Sequence, residues 1–417
     1  MLIVKKIHKK EIPVFLFILV IICAQKLALP LAGFQFSIAI FAVALFDFTM
    51  CGQKKAYVNR NRFIVFLLMC ILSVASCFIN VSKTVANLTS LLYFYVIYFF
   101  FCFDYNFDLS TSNHILNTFE GVLFASAIIG IMQYALQLAG IHYIDLFDYF
   151  PENIRMKGFN TYYPIRYGSN MMKSNGWFYL EPSFFSQFMA LGIILETKSG
   201  IRGWKSYLKV IIYLVAIICS FSGTGILLLL VYLIPFFNKL KLKQKITVLI
   251  GSGILLGVFL STELSTLITG RISEFSTSSS SAAMRFINPY VNVLSQNVLR
   301  LLVGNGPGTV QNFFVIGRKA DYTAIPKVIY EYGMFVTAFY LVLVLKSFYR
   351  HSKDISITCL LFMYLFLAGN LLQPSIAIPL YFLANTSSTI GEYPPSTQIV
   401  YKGWQKRKCQ RTRKVFL

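Results

Sequence analysis

Residues 119–141 read FEGVLFASAIIGIMQYALQLAGI and carry one charged side chain, that of Glu120. An α-helix rises about 1.5 Å per residue, so it needs about 20 predominantly apolar residues to cross the hydrocarbon core of a bilayer. The segment meets both conditions of length and composition. It therefore predicts a membrane-spanning helix.

Similar apolar stretches occur along the rest of the chain. With 119–141 they predict about twelve spans, namely 12–25, 27–46, 63–80, 85–103, 119–141, 177–196, 208–222, 223–237, 246–262, 326–345, 356–373 and 375–390. Of the 417 residues, 56% are hydrophobic and 13% are charged, whereas soluble domains carry about 25% charged residues. This composition excludes soluble enzymes and secreted disulfide scaffolds. We expect an all-α polytopic membrane protein in which residues 1–417 form a single transmembrane domain.

The net charge of +22 is concentrated in short basic clusters between the apolar stretches. Cytoplasmic loops of membrane proteins are enriched in Lys and Arg, so this placement predicts orientation and argues against a nucleic-acid partner. If the N-terminus lies inside and the spans alternate, most basic residues fall on the cytoplasmic side. We then expect both termini to be cytoplasmic, 391–417 to be a basic cytoplasmic tail, and 142–176 and 263–325 to be long external loops.

The eight cysteines fall in spans or on the cytoplasmic side of this topology. No CxxC motif or Cys/His cluster occurs, so neither an external disulfide nor a structural zinc site is expected. The sequence offers no metal site.

The end of the first external loop contains candidate catalytic residues. Pro182 suits the first turn of a helix, which places Glu181 beside the helix N-cap, where the helix dipole favours an ionised carboxylate. Such a carboxylate can accept a proton from a sugar hydroxyl. A helix cap without chemical function is the alternative interpretation, and the nearby Arg166 and Lys173 favour function.

The second external loop contains Arg271, Arg285 and a glycine-rich turn that includes Gly304 and Gly306. Backbone N–H groups in such a turn can face one way and hold phosphate oxygens, and an arginine can contact the same oxygens with its planar fork. A plain turn is the alternative explanation. The pattern favours a phosphate site.

Lys327 and Glu331 lie in the tenth predicted span. Ionisable residues inside a membrane are functional candidates by default. Their spacing of four residues puts them on one helix face, so a structural ion pair is an equal alternative to a supporting role in the site.

Together these features resemble the bacterial O-antigen polymerase and ligase superfamily. The resemblance lies in the about twelve spans with two external loops, and in four short motifs. These are Lys173–Gly176 followed by Glu181-Pro182-Ser183, Ser222-Gly-Thr-Gly225, Arg285 followed by Gly304-x-Gly306, and Glu331-Tyr-Gly333. Lys173 stands where the family usually has arginine. The ligase-type histidine near the tenth span is missing, which favours a polymerase.

The resemblance implies a function at the outer face of the bacterial inner membrane. The chain would join O-antigen or capsular repeat units carried on undecaprenyl pyrophosphate, as an inverting glycosyltransferase with Glu181 as base. Arg166, Lys173, Arg271 and Arg285 would match the charge of the pyrophosphate, so neither a metal nor a cofactor is expected. Lipid-linked donor and acceptor glycans, membrane lipids and a chain-length regulator protein are the implied partners. An O-antigen ligase and a multispanning transporter of lipid-linked glycans are the alternatives.

Overall fold

The computed structural model describes residues 12–31, 34–80, 87–166, 168–199, 203–239, 287–312, 322–349, 355–367 and 371–391, with positions 242, 245, 283, 285, 314–315 and 318–319. Within this part of the chain, thirteen α-helices account for most residues, and the strands form three small two-stranded sheets. The expectation of a mainly helical protein is confirmed.

The helices are α1 (Ile12–Cys23), α2 (Ile38–Gly52), α3 (Arg60–Asn80), α4 (Leu88–Phe99), α5 (Leu109–Leu138), α6 (Pro182–Ser199), α7 (Trp204–Cys219), α8 (Gly223–Lys239), α9 (Asn288–Leu294), α10 (Val298–Val303), α11 (Ala324–Phe348), α12 (Ile355–Phe362) and α13 (Pro374–Gly391). Most of the helices overlap the predicted spans, whereas α9 and α10 lie in the predicted loop 263–325. Short 3-10 segments follow α4 and α5, and a π-helical segment, Met363–Leu367, continues α12.

The strands pair as antiparallel ribbons between helices. The pairs are β1 (Ala28–Leu31) with β2 (Phe34–Ser37), β3 (Ala56–Val58) with β4 (Phe103–Tyr105), and β5 (Phe314–Val315) with β6 (Arg318–Lys319).

Three of the described helices are long and apolar enough to cross a membrane: Arg60–Phe78, Leu109–Leu138 and Ala324–Phe348. Five further apolar helices have 10–17 residues. Helix length and composition therefore support membrane-spanning helices, and they support three full-length spans in the described residues. The predicted span 246–262 lies outside those residues.

The predicted span 27–46 is wrong in its first part. Residues 28–31 and 34–37 pair as strands β1 and β2, and α2 begins only at Ile38, where the Ser37 side chain accepts a hydrogen bond from the Ala39 N–H group. Pro30 has no backbone N–H group, so inside a helix it would remove a hydrogen bond. Both strands of a two-stranded ribbon are edge strands, and proline is tolerated there.

Helix α13 is almost entirely buried along its first three turns, although Pro379 and a polar stretch made it the weakest predicted span. A helix that is apolar on all sides belongs inside a bundle. Two of its polar side chains bond within the helix: the Asn385 amide donates to the Tyr381 carbonyl (3.1 Å), and Thr386 donates to the Phe382 carbonyl (2.9 Å).

A buried ion pair joins the start of α3 to strand β4. Arg62 contacts Asp104, and each side chain is 2% exposed. Asp104 also accepts from the Asn59 amide (2.9 Å), and Arg62 donates to the Phe101 carbonyl (3.0 Å) and the Tyr381 hydroxyl (2.8 Å). Charges removed from water need such complete pairing. The network fixes α3, β4 and α13 to one another.

Replacing Arg62 by Leu should destabilise the protein strongly, because Asp104 would remain buried without its charged partner. Such losses amount to about 3–5 kcal/mol. Thermal unfolding of the detergent-solubilised chain, followed by size-exclusion chromatography, measures the effect. Arg60→Leu is the control, since Arg60 is exposed two residues earlier in the same turn. Equal unfolding temperatures for the two variants would contradict a structural role for the pair.

Candidate functional site

The loop before α6 folds back on itself. The Ile165 N–H donates to the Met171 carbonyl (2.9 Å), and the Lys173 N–H donates to the Tyr163 carbonyl (2.8 Å). Arg166 lies exposed near the tip of this loop. Lys173 lies at its base and is 6% exposed, with its ammonium 4.1 Å from the centre of the Tyr163 ring. The aromatic face stabilises this buried cation.

Two glutamines of α5 hold the loop in place. The Gln133 Oε1 accepts from Ser174 Oγ (2.9 Å) and from the N–H groups of Asn175 (3.0 Å) and Gly176 (3.1 Å). Gln137 Oε1 accepts from the Met172 N–H (2.8 Å). The sequence analysis missed both residues, although their spacing of four residues within an apolar span was a usable signal.

Glu181 lies immediately before α6, as predicted. Its Oε1 accepts from the Asn160 N–H (3.0 Å), and its Oε2 accepts from Ser183 Oγ (2.9 Å). Its carbonyl accepts from the N–H groups of Phe184 and Phe185, both at 3.1 Å. Glu181 is half-buried at the N-terminal end of α6.

A group of hydroxyls connects the start of α6 with the start of α8. The Ser183 carbonyl accepts from Ser186 Oγ (2.9 Å) and Thr224 Oγ1 (3.0 Å), and the Thr224 hydroxyl also lies 3.0 Å from that of Ser222. At Gly225 a Cβ atom would lie 2.3 Å from the Ser186 carbonyl oxygen, so the close approach requires glycine. The structure thus brings the Glu181–Ser183 and Ser222–Gly225 segments together.

A second buried ion pair attaches the loop after α5 to the chain just after α1. Lys26 contacts Asp145, and both side chains are buried. Burial lowers the pKa of Lys26 to about 8, and the negative charge of Asp145 opposes that shift. The Lys26 carbonyl accepts from the Met156 N–H (2.8 Å). Pairing across 119 residues, which no local pattern reveals, fixes the loop against the helices.

The glycine-rich turn after α10 packs against the backbone of α11. The Gly304 N–H donates to the Arg300 carbonyl (2.7 Å), the Asn305 N–H to Tyr330 (2.9 Å) and the Gly306 N–H to Glu331 (2.8 Å). These donors already have backbone partners in this conformation. The predicted role of Gly304 and Gly306 in holding phosphate oxygens stays a prediction, which would require these N–H groups to exchange their partners.

The Glu331 side chain is 2% exposed and lies against the glycine-rich turn. The backbone N–H groups of Gly308 and Val310 interact with its carboxylate. Its Oε1 has no hydrogen-bond partner among the described groups. Lys327 lies one turn earlier and is half-buried, but no ion pair joins these two described residues. The turn therefore surrounds a carboxyl group that belongs to the protein itself.

The predicted site residues fall into two groups in the structure. Arg166, Lys173 and Glu181 belong to the first, which is built on α5, α6 and α8. Gly304, Gly306, Lys327 and Glu331 belong to the second, which is built on α10 and α11. Arg285 is half-buried and has a helical backbone conformation, and Arg271 lies outside the described residues.

No protein-family model, curated protein or solved structure matches the chain. The observations define a mainly helical protein with membrane-capable helices and a polar site where α6 begins.

Gly304→Ala should destabilise the protein by more than the strain of its backbone conformation, because the added Cβ atom would also collide with a neighbouring backbone. Gly304 has φ +86°, and a Cβ atom there would lie 2.5 Å from the Glu331 carbonyl oxygen. Gly203 is a matched control, because its φ of +76° and ψ of 174° are close to the φ of +86° and ψ of 178° of Gly304, and nothing lies within 4 Å of the corresponding position. A residue with a side chain in this backbone region costs about 1–3 kcal/mol. Gly203→Ala should lose about that amount, and Gly304→Ala clearly more, in thermal unfolding of the purified chain; equal losses would remove the case for close contact.

Proposed function

We propose that the chain is a polymerase of O-antigen or capsular repeat units carried on undecaprenyl pyrophosphate. It would act at the outer face of the bacterial inner membrane as a multi-pass protein of about twelve spans with both termini in the cytoplasm. The observation that carries the proposal is the half-buried carboxylate of Glu181, held at a helix N-terminus beside a loop that carries Arg166 and Lys173.

Glu181 acts as the general base in this proposal. The acceptor sugar hydroxyl gives its proton to the carboxylate, and its oxygen attacks the anomeric carbon of the donor. The bond from that carbon to the pyrophosphate breaks, and its electron pair leaves with the pyrophosphate. Direct displacement inverts the anomeric centre. The hydrogen bonds from the Asn160 N–H and Ser183 Oγ fix the carboxylate in place without supplying a competing charge.

The leaving pyrophosphate requires positive charge. Lys173 and Arg166 lie on the loop that leads to Glu181, and Arg285 and Arg271 are the further cations proposed to bind it. Lys173 is buried, and the lower dielectric constant there makes its charge act on a phosphate more strongly than it would in water. With these cations in place, the reaction needs neither a metal ion nor a cofactor. Gly304 and Gly306 contribute by shaping the turn around Glu331.

Undecaprenyl-pyrophosphate-linked donor and acceptor glycans are the proposed substrates, and a chain-length regulator is a proposed protein partner. An O-antigen ligase or a transporter of lipid-linked glycans would use the same substrates differently. In a ligase the finished polymer passes to another acceptor, and in a transporter no glycosidic bond forms.

Deletion of the coding sequence separates these functions. For a polymerase, a gel of surface polysaccharide should lose its ladder and keep a band of single repeat units. Complete loss of surface polysaccharide with intact lipid-linked polymer would indicate a ligase. Accumulation of single lipid-linked units on the cytoplasmic side would indicate a transporter.

Complementation of that deletion tests the residues. Glu181→Gln keeps the size and one hydrogen-bond acceptor but loses the base, so the rate of polymer formation should fall about 10²–10⁴-fold. Glu152→Gln is the control, since Glu152 is an exposed glutamate of the same loop. A full ladder from normally produced Glu181→Gln protein would refute the role of Glu181 as base.

Arg285→Ala should reduce the rate of polymer formation about 30-fold or more, because a contact between an arginine and a buried phosphate contributes about 2–5 kcal/mol.

A further inference from the structure

An exposed apolar surface lies beside the site, at the end of the bundle where α5 ends. We call it the apolar rim and define it by the following six residues. They are Leu29, Leu31, Ile141, Ile144, Tyr149 and Phe150, each at least 38% exposed. None of them belongs to one of the membrane-capable helices.

We propose that the apolar rim is inserted into the interfacial layer of the membrane, so that lipid headgroups and the first acyl carbons cover it. The inference concerns a lipid surface as partner, and it does not depend on the polymerase function.

The rim continues the exposed apolar surface of α5. Ile128, Met132 and Leu138 are exposed along that helix, and Leu138 reaches 64% exposure at its last turn. Ile141 follows three residues later and therefore lies within about 10 Å of the helix end. The exposed apolar surface thus runs from a membrane-capable helix onto the loop without a break in the sequence.

The loop sorts its side chains between the protein and the outside. Ile144 is exposed, Asp145 is buried against Lys26, Leu146 is exposed and Phe147 is buried. The Phe147 ring stacks on that of Phe150 at 5.5 Å. The ion pair of Lys26 and Asp145 thus fixes the orientation in which the apolar side chains point away from the protein.

The β1–β2 hairpin is attached to the same surface. Leu27 pairs with Arg155, the Gln35 amide donates to the Arg155 carbonyl (2.7 Å), and Gln35 accepts from the Lys157 N–H (2.7 Å). These contacts bring Leu29 and Leu31 to the loop. Two segments more than 100 residues apart therefore contribute to one apolar rim.

Several charged side chains near the rim form ion pairs or hydrogen bonds with one another. Arg155 contacts both Asp148 (3.0 Å) and Glu152 (3.6 Å), and the Tyr162 hydroxyl donates to Asp148. Matched charges cost less to bring near a membrane than isolated ones. Tyrosine is enriched at membrane interfaces because its ring is apolar and its hydroxyl can stay hydrated. Tyr149 is a tyrosine of this loop and is 82% exposed.

The experiment compares two labelled positions of nearly equal exposure. Tyr149→Cys and Glu152→Cys, at 82% and 80% exposure, are made in a full-length variant without other cysteines and labelled with an environment-sensitive fluorophore. Each protein is reconstituted in vesicles of phosphatidylethanolamine and phosphatidylglycerol that contain a lipid with a nitroxide near the headgroup. The label at 149 should be quenched about threefold more than the label at 152. Equal quenching would overturn the proposal.

Hydroxyl-radical footprinting of the unaltered chain in the same vesicles provides an independent measurement if the cysteine-free variant does not fold. Exposure in the protein alone predicts more oxidation at Tyr149 than at Tyr163, which is 46% exposed. Lipid coverage should reverse that order. Tyr149 oxidised more than Tyr163 in lipid alone, with protection only after a lipid-linked glycan is added, would identify a sugar contact and overturn the lipid assignment.

Discussion

A backbone or side-chain polar group that is buried away from water must find its hydrogen-bond partner within the protein. That requirement explains the contacts that hold this fold together. The glycine-rich turn donates its N–H groups to the carbonyls of Tyr330 and Glu331, where α11 is interrupted by Gly333 at φ +81°. The two backbones can meet only because Gly304 and Gly333 lack a Cβ atom.

The same requirement governs the buried charges. Arg62 and Asp104 are surrounded by further hydrogen bonds from Asn59 and to Tyr381, so that both charges are matched. Lys26 and Asp145 form a comparable buried pair, which joins the chain just after α1 to the loop after α5. Each pair joins segments distant in sequence, and each therefore determines how helices and loops are arranged rather than whether they form. Buried pairs of this kind contribute to specificity when both partners are present.

The proposed chemistry depends on how these contacts present Glu181. Gln133 and Gln137 fix the approaching chain, the hydroxyls of Ser183 and Thr224 connect α6 with α8, and the carboxylate remains half-buried at the helix N-terminus. The apolar rim adds a geometrical consequence. If lipid covers Tyr149 and its neighbours, the loop that carries Lys173 and leads to Glu181 lies at the membrane surface, where a lipid-linked substrate would present its pyrophosphate.

The sequence by itself identified most of the apolar segments that form helices, because hydropathy and helix length are local properties. It also placed Glu181 before the first turn of a helix, since Pro182 is a local signal. Only the tertiary structure decided what these elements contact. The β1–β2 hairpin interrupts an apolar stretch, and Gln133 binds a loop more than 40 residues away. The glycine-rich turn encloses the carboxylate of Glu331, and Lys26 finds Asp145. These contacts depend on which buried polar groups still lack a hydrogen-bond partner when the helices pack. Local sequence patterns do not contain that information.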